Sequence, residues 1–376
     1  MKKIILIPDS FKGTLSSIQI CNILTRAVQE LLPGVEVRAF PVGDGGEGTA
    51  EAFFHAAGGQ RVSCTVKVPH FETIPAAYTL LPDLTAVMDM AEAAGLSLCG
   101  DKPDPMETTT YGVGQMIADA AARGCKSLIL GLGGSGTNDG GCGAACALGV
   151  QFFDGEGKPF IPTGGTLSRI RSIDCSRINP DVSHIPITCM CDVDTPFFGE
   201  KGAAAVFAPQ KGASPEQVEV LDRGLRHLAL RIEETLHLEI AGIPGSGAAG
   251  GMGGGCFSFL HAELKSGIET VLNVLQFDRQ AEGADLILTG EGKIDAQSVC
   301  SKVVCGVSKR AQKLKIPCVA IVGEDGGDYD PLYGQGLTAV FPINRSAVAF
   351  EITKAHSEEN LYRTACDILR LVRQYR

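Results

Sequence analysis

Ile4-Ile5-Leu6-Ile7-Pro8-Asp9-Ser10-Phe11-Lys12-Gly13-Thr14 is the stretch whose reading decides the fold. Four aliphatic residues in a row, with no polar alternation, describe a strand buried on both faces, as in a parallel sheet. A polar loop follows at once. Beyond it Ile18, Ile20, Ile23, Leu24, Val28 and Leu31 recur at helical spacing, with Ser16 or Ser17 placed to cap the helix and Pro33-Gly34 to stop it. A strand over 35–40, the loop Val42-Gly43-Asp44-Gly45-Gly46-Glu47-Gly48-Thr49 and a short helix over 50–57 make a second βα unit.

That rhythm returns only towards the other end, with strands at 286–288, 318–322 and 339–343 and helices at 298–314 and 361–372. Between the two ends the pattern changes. Short runs at 63–68, 76–80 and 85–90, separated by Pro, Asp and Thr, predict an antiparallel meander. A helix over 113–123, strands at 128–130 and 187–191, a further strand at 203–208 and a long amphipathic helix over 215–238 follow. Neither terminal part alone has enough strands for a sheet. We therefore expect an α/β protein: a flavodoxin-like parallel-sheet domain of about five strands, from residues 1–60 plus 265–376, interrupted by a large inserted mixed α/β domain over 61–264. Two domains in succession are the alternative topology.

The chain of 376 residues suffices for about two domains with sizeable cores. Its 44% hydrophobic and 20% charged residues exclude a disordered chain, and a net charge of −10 argues against a nucleic-acid surface. The apolar run at the N-terminus ends at Pro8-Asp9, too soon for a signal peptide or a membrane span. Fourteen cysteines include no Cys-x-x-Cys pair and no zinc-like cluster, so most are expected to be small buried residues of a cytoplasmic protein. The sequence leaves the oligomeric state open.

Ligands of open α/β sheets bind outside the carboxyl ends of the strands. The loops expected there carry Asp9 with Lys12, Asp44 with Glu47, Glu291 with Lys293 and Asp295, Glu324 with Asp325, and Asn344 with Arg345. The opposite edge is plain. A second feature is Leu128-Ile-Leu-Gly-Leu-Gly-Gly-Ser-Gly-Thr-Asn-Asp-Gly-Gly141, whose glycines suit a main chain that takes positive φ or presses its N–H groups on an anion ahead of a helix at 144–148. A tight strand-to-helix turn is the competing explanation. The glycine-dense run over 243–255 reads equally as a linker or as a ligand loop. Lysines, glycine loops and carboxylates together fit phosphoryl transfer with Mg²⁺. No Walker P-loop, no dinucleotide fingerprint after the first strand, no G-x-S-x-G elbow and no histidine metal motif occurs.

Seven blocks, in order, resemble the type I glycerate kinases: Asp9-Ser-Phe-Lys-Gly-Thr-Leu-Ser-Ser17, Asp44-Gly-Gly-Glu-Gly-Thr49, the glycine loop ending at Gly141, Cys191-Asp-Val-Asp-Thr-Pro196, Phe207-Ala-Pro-Gln-Lys-Gly-Ala213, Pro244-Gly-Ser-Gly-Ala-Ala-Gly-Gly251 and Leu288-Thr-Gly-Glu-Gly-Lys-Ile-Asp-Ala-Gln-Ser298. Gly43 replaces the family's usual Ala, and Ser301-Lys302 its usual Gly-Lys. The resemblance implies a flavodoxin-like domain with an insertion, and ATP-dependent phosphorylation of D-glycerate to 2-phosphoglycerate. Such chemistry needs an acceptor at the hydroxyl, cations at the phosphates and a clamp on the carboxylate. On that footing Asp192 takes the hydroxyl, with Asp44 or Asp295 as rival. Lys12 and Lys293 take the substrate carboxylate or the transferring phosphate, with Asp9, Ser10 and Glu291 beside the substrate. Gly133, Gly134, Ser135, Gly136, Thr137 and Asn138 hold ATP phosphates, together with Gly250 and Gly251, and Asp139 or Asp194 reaches Mg²⁺. The expected site is a cleft between the two domains. A non-catalytic sensor of a phosphorylated metabolite is the alternative function.

Overall fold

The aliphatic run over 4–7 is fully excluded from solvent, at the centre of the strand Lys3–Pro8. A computed structural model describes residues 1–43, 45–299, 302–346 and 349–374. In its first unit, residues 1–44, 55–58 and 266–376, a five-stranded sheet runs in the order Leu337–Pro342, Cys318–Asp325, Leu286–Ile294, Lys3–Pro8, Glu36–Ala39. Every neighbouring pair is parallel. Numbered along the unit this is the 2-1-3-4-5 order of a flavodoxin-like sheet, and its reversal falls between Lys3–Pro8 and Leu286–Ile294. The helix Ser17–Leu31 starts with a capping box between Ser16 and Gln19, and its Ile20 and Leu24 join Leu361, Ala365 and Leu369 of the helix Ser357–Gln374 in one core.

The second unit comprises residues 45–54 and 59–265. Its six-stranded sheet has the order Glu263–Lys265, Ile187–Met190, Ser127–Gly131, Thr85–Asp89, Thr73–Leu80, Gln60–Lys67. The first four strands are parallel, and the last two complete the sheet antiparallel. The expected meander is thus present up to Thr85–Asp89, which then pairs in parallel with Ser127–Gly131 because the intervening helix Tyr111–Ala122 carries the chain back. A small antiparallel sheet of three strands lies at 151–174.

The helix Thr49–Ala57 belongs mainly to this second unit, since Asp89 accepts the N–H groups of Gly48 and Ala50, and Thr79 donates its hydroxyl to the Ala50 carbonyl. Residues 203–208, expected as a strand, form the helix Ala203–Phe207. Three alanines after an extended Gly202 favour helix, and Ala203 and Ala204 are buried beside the helices Pro215–Leu236 and Ala248–Leu260. The strand Leu286–Ile294 runs six residues past its expected end, so Glu291 and Lys293 lie on the strand itself. Among the described residues the cysteines are free thiols, and no helix is long and apolar enough to cross a membrane.

The glycine-dense run over 243–255 is neither a linker nor an open loop. Ala249, Gly250 and Gly251 all take positive φ within a buried segment that continues into the helix ending at Leu260. A Cβ on Gly250 would stand 2.1 Å from the Thr137 carbonyl oxygen, and one on Gly255 2.3 Å from that of Gly140. Gly250→Ala should therefore lower unfolding stability by about 2 kcal/mol or more in urea denaturation, whereas Gly155→Ala, whose added carbon meets nothing within 4 Å, should change it by less than about 0.5 kcal/mol.

Candidate active site

In the first unit the sheet reversal gathers a charged cluster. The loop after Lys3–Pro8 is tied to the neighbouring strand by the Asp9 N–H, which donates to the Gly290 carbonyl over 2.9 Å. Gly292 lets that loop lie close: an added Cβ would be 3.2 Å from the Lys12 nitrogen and 3.3 Å from the Phe11 Cα. Ser10 donates its N–H to the Asp9 carboxylate at 2.6 Å.

Glu291 is buried at 3% exposure. Burial pushes its carboxyl up to about 7, against the pull of the Ser298 hydroxyl, Lys302 and Lys12, while Asp295 adds to the rise. One of its oxygens, Oε1, has no hydrogen-bond partner among the described residues. Asp295 is 3.6 Å from the Lys302 ammonium, and its N–H donates to Ser298. Lys293, by contrast, is half-exposed and paired with Glu324 at 2.9 Å. The structure thus brings Asp9, Ser10, Lys12, Glu291 and Asp295 to one edge, together with Lys302 and Ser298. In the sequence Lys302 carries no assigned role, and its only signal is that it stands beyond the block ending at Ser298, where the family has Gly-Lys. Asp44 lies outside the described residues.

In the second unit the glycine loop follows Ser127–Gly131. Its glycines allow close approach of neighbouring backbone and side chains. Added Cβ atoms would come within 2.7 Å of the Gly45 carbonyl oxygen from Gly131, 2.5 Å of the Gly46 Cα from Gly133, and 2.4 Å of the Cys99 sulfur from Gly136. The loop and the Gly45-Gly46-Glu47-Gly48 motif are therefore packed on each other, and the Gly133 N–H donates to the Gly45 carbonyl at 2.8 Å.

Only Gly133, Gly134 and Ser135 reach solvent; Gly136, Thr137, Asn138, Gly250 and Gly251 are buried and offer a ligand no surface. Beneath the exposed tip, Lys211 is 1% exposed and donates to the Ser135 hydroxyl at 2.8 Å and the Thr137 carbonyl at 2.7 Å.

Asp139 is held by donors of the protein itself. It is fully buried and accepts from the Thr110 N–H and hydroxyl, both at 2.8 Å, and from the N–H groups of Gly143 and Gly141 at 3.1 and 3.2 Å. The anion at the start of the helix Cys142–Ala147 is thus the protein's own carboxylate. Burial raises its pKa even against those donors.

Asp192 is half-buried and Asp194 exposed, on the loop after Ile187–Met190. That loop is held where the Gly247 N–H donates to the Thr195 carbonyl at 2.9 Å. Asp89, which sequence reasoning missed, closes the strand paired in register with the glycine-loop strand, opposite Gly131. Its burial pushes it up to about 7, against the pull of the Ala50 and Gly48 N–H groups. With Glu47, Glu92 and Ser97 it lines a cavity of about 250 Å³.

Two units, one a flavodoxin-like sheet with lysines and carboxylates at its reversal, define an α/β protein of the class that handles small anionic substrates. Residues 4–373 match the Glycerate kinase family, and the chain belongs to it. It is 42% identical to a glycerate kinase of Bacillus cereus over 97% of each chain, and 38% identical to a glycerate 2-kinase of Escherichia coli over 97% of each. A crystal structure assigned to glycerate kinase 2 of Salmonella typhimurium LT2 is similar with a TM-score of 0.88 at 36% identity, covering 99% of this chain and 98% of that one.

Glu291 binds more protons folded than unfolded between about 4.5 and 7, so its burial costs stability as pH rises through that window. Glu291→Gln, neutral at every pH, should match the wild-type melting temperature near pH 4.5 and exceed it at pH 8. A difference between variant and wild type that is the same at both values would remove the buried ionisation.

Proposed function

We propose that the protein phosphorylates D-glycerate on its 2-hydroxyl with ATP, giving 2-phosphoglycerate. The observation that carries this reading is the length of the family match and of the likeness to the Escherichia coli glycerate 2-kinase, which take in both units. The reading places the reaction in the cytoplasm.

Lys12 and Lys302 supply positive charge beside Glu291 and Asp295, which suits a clamp on a hydroxy-acid: the lysines take the carboxylate, and the two acids orient hydroxyl groups. Lys293 can join only by giving up its pair with Glu324. Asp192 accepts the hydroxyl proton as the oxygen attacks the γ-phosphorus and the bond to ADP breaks. Asp295, held by Lys302, and Asp44 are its rivals. The accessible tip at Gly133, Gly134 and Ser135 receives an anionic group.

Mg²⁺, when bound, offsets phosphate charge and aligns the transferring group. The residues fit it in part: such ions take one or two carboxylates and otherwise phosphate and water oxygens. Asp194 presents an exposed carboxylate suited to this, while the oxygens of Asp139 are already occupied.

Wild-type protein given D-glycerate, ATP and Mg²⁺ should release ADP, with the phosphorus resonance of the product at the 2-position. Asp192→Asn should lower kcat by about 100-fold or more with an unchanged melting temperature. Absence of turnover, or a 3-phosphorylated product, would overturn the reading; near-normal turnover of Asp192→Asn would pass the base to a rival.

A further inference from the structure

A lysine with 1% of its surface exposed calls for a reason. Lys211 sits at the end of the short helical turn Pro209–Lys211, followed by Gly212 at φ +94°, where an added Cβ would meet the Pro103 carbonyl oxygen at 2.0 Å. The turn is thereby locked in place, and its ammonium is delivered under the glycine loop. There it makes two bonds of different kinds. The bond to the Thr137 carbonyl, at 2.7 Å, fixes backbone. The bond to Ser135 Oγ, at 2.8 Å, fixes a side chain at the accessible tip.

The second bond has a chemical consequence. In its charged form Lys211 has only hydrogens to give, so Ser135 Oγ is the acceptor, and its own single O–H hydrogen is directed elsewhere. Among the described residues nothing accepts that hydrogen. Ser135 is half-buried and adjoins exposed Gly134, so the lysine closes the inner side of the hydroxyl and leaves its donor side to an arriving group. A hydroxyl that accepts from a cation is also polarised into a stronger donor. Asp139, whose charge acts on the lysine, accepts from Thr110, Gly141 and Gly143, and Cys99, which also acts on it, gives its S–H to the Gly95 and Gly136 carbonyls. Neither competes for the serine.

We propose that Ser135 is the anion-recognising donor of the glycine loop and that Lys211 is a positioning residue acting through it, the pair binding one anionic oxygen of a substrate, phosphate or carboxylate. The proposal rests on the kinase reading for the identity of the substrates, but the pairing of the two residues does not. Lys211 touches no substrate; it sets the direction in which the Ser135 proton points. Burial pushes the ammonium down to about 7, against the pull of Asp139 and Cys99, and an anion held at Ser135 favours its charged form.

The test uses full-length Ser135→Ala, Ser135→Thr, Lys211→Met and the double variant Ser135→Ala/Lys211→Met. Binding of ADP and, separately, of D-glycerate is measured by calorimetry, beside KM and kcat. Ser135→Ala should weaken one of the two ligands by about tenfold or more, as expected for a lost hydrogen bond to a charged group, and raise the corresponding KM more than it lowers kcat. Loss confined to ADP identifies the oxygen as phosphate, and loss confined to glycerate as carboxylate. Ser135→Thr, which keeps the hydroxyl, should stay within about threefold of wild type. Lys211→Met should weaken the same ligand, and the double variant should be no more than about twofold worse than the worse single change, since both remove one unit.

Losses that multiply in the double variant, or a Ser135→Ala that binds both ligands as well as wild type, would overturn the proposal. If Lys211→Met does not fold, the alanine and threonine variants still decide it. Failure of the wild type to phosphorylate glycerate would refute the kinase reading, whereas the binding comparison at Ser135 would stand or fall by itself.

Discussion

Backbone lies against backbone throughout the second unit, and the missing side chains of its glycines make that possible. The loop after Ser127–Gly131 is packed on Gly45 and Gly46 on one side and on the segment around Gly250 and Gly255 on another, at separations that leave no room for a Cβ. Glycine costs conformational entropy when ordered, so its density here marks positions where contact outweighs that cost. With the main chains so close, few side chains remain to satisfy polar groups. A small number of buried ones do so: Asp139 accepts from the start of one helix, Asp89 from the start of another, and Lys211 donates to the loop itself.

Those buried charges divide into two kinds. Asp139 accepts from several donors at the start of a helix, so its carboxyl group is structural. Glu291 keeps an oxygen without a hydrogen-bond partner among the described residues, and Lys211 is joined to a hydroxyl that still has a proton to give. Incomplete satisfaction of a buried group is costly unless something arrives to complete it. Glu291 in the first unit and Ser135 in the second are thus groups whose hydrogen bonding the fold leaves unfinished, and both units are taken in by the family match.

Much of the first unit was legible because its signals are local. The aliphatic run over 4–7 and its counterparts near the other end specify strands buried on both faces, and the charged residues that follow them mark one edge of the sheet. The second unit was less so. Residues 203–207 are alanine-rich and apolar, a pattern that serves a strand or a buried helix, and the neighbouring helices decided for helix. Glycine density in the sequence suits a phosphate loop, a tight turn or a linker alike, and the structure adds that Gly136, Gly250 and Gly251 are closely packed and that solvent reaches only 133–135 of the first loop. Lys211 and Asp89 went unassigned, for no short-range spacing announces a buried charge.

The sequence by itself determined the interrupted parallel sheet, the glycine-dense segments and the family, since hydrophobic period and motif order are properties of neighbouring residues. Only the tertiary structure decided which glycines face protein, which carboxylate is already saturated and which hydroxyl a lysine orients. Such choices depend on contacts between residues far apart in the chain, as between Lys211 and Ser135 or Asp139 and Thr110, and burial there sets the energy of every polar group.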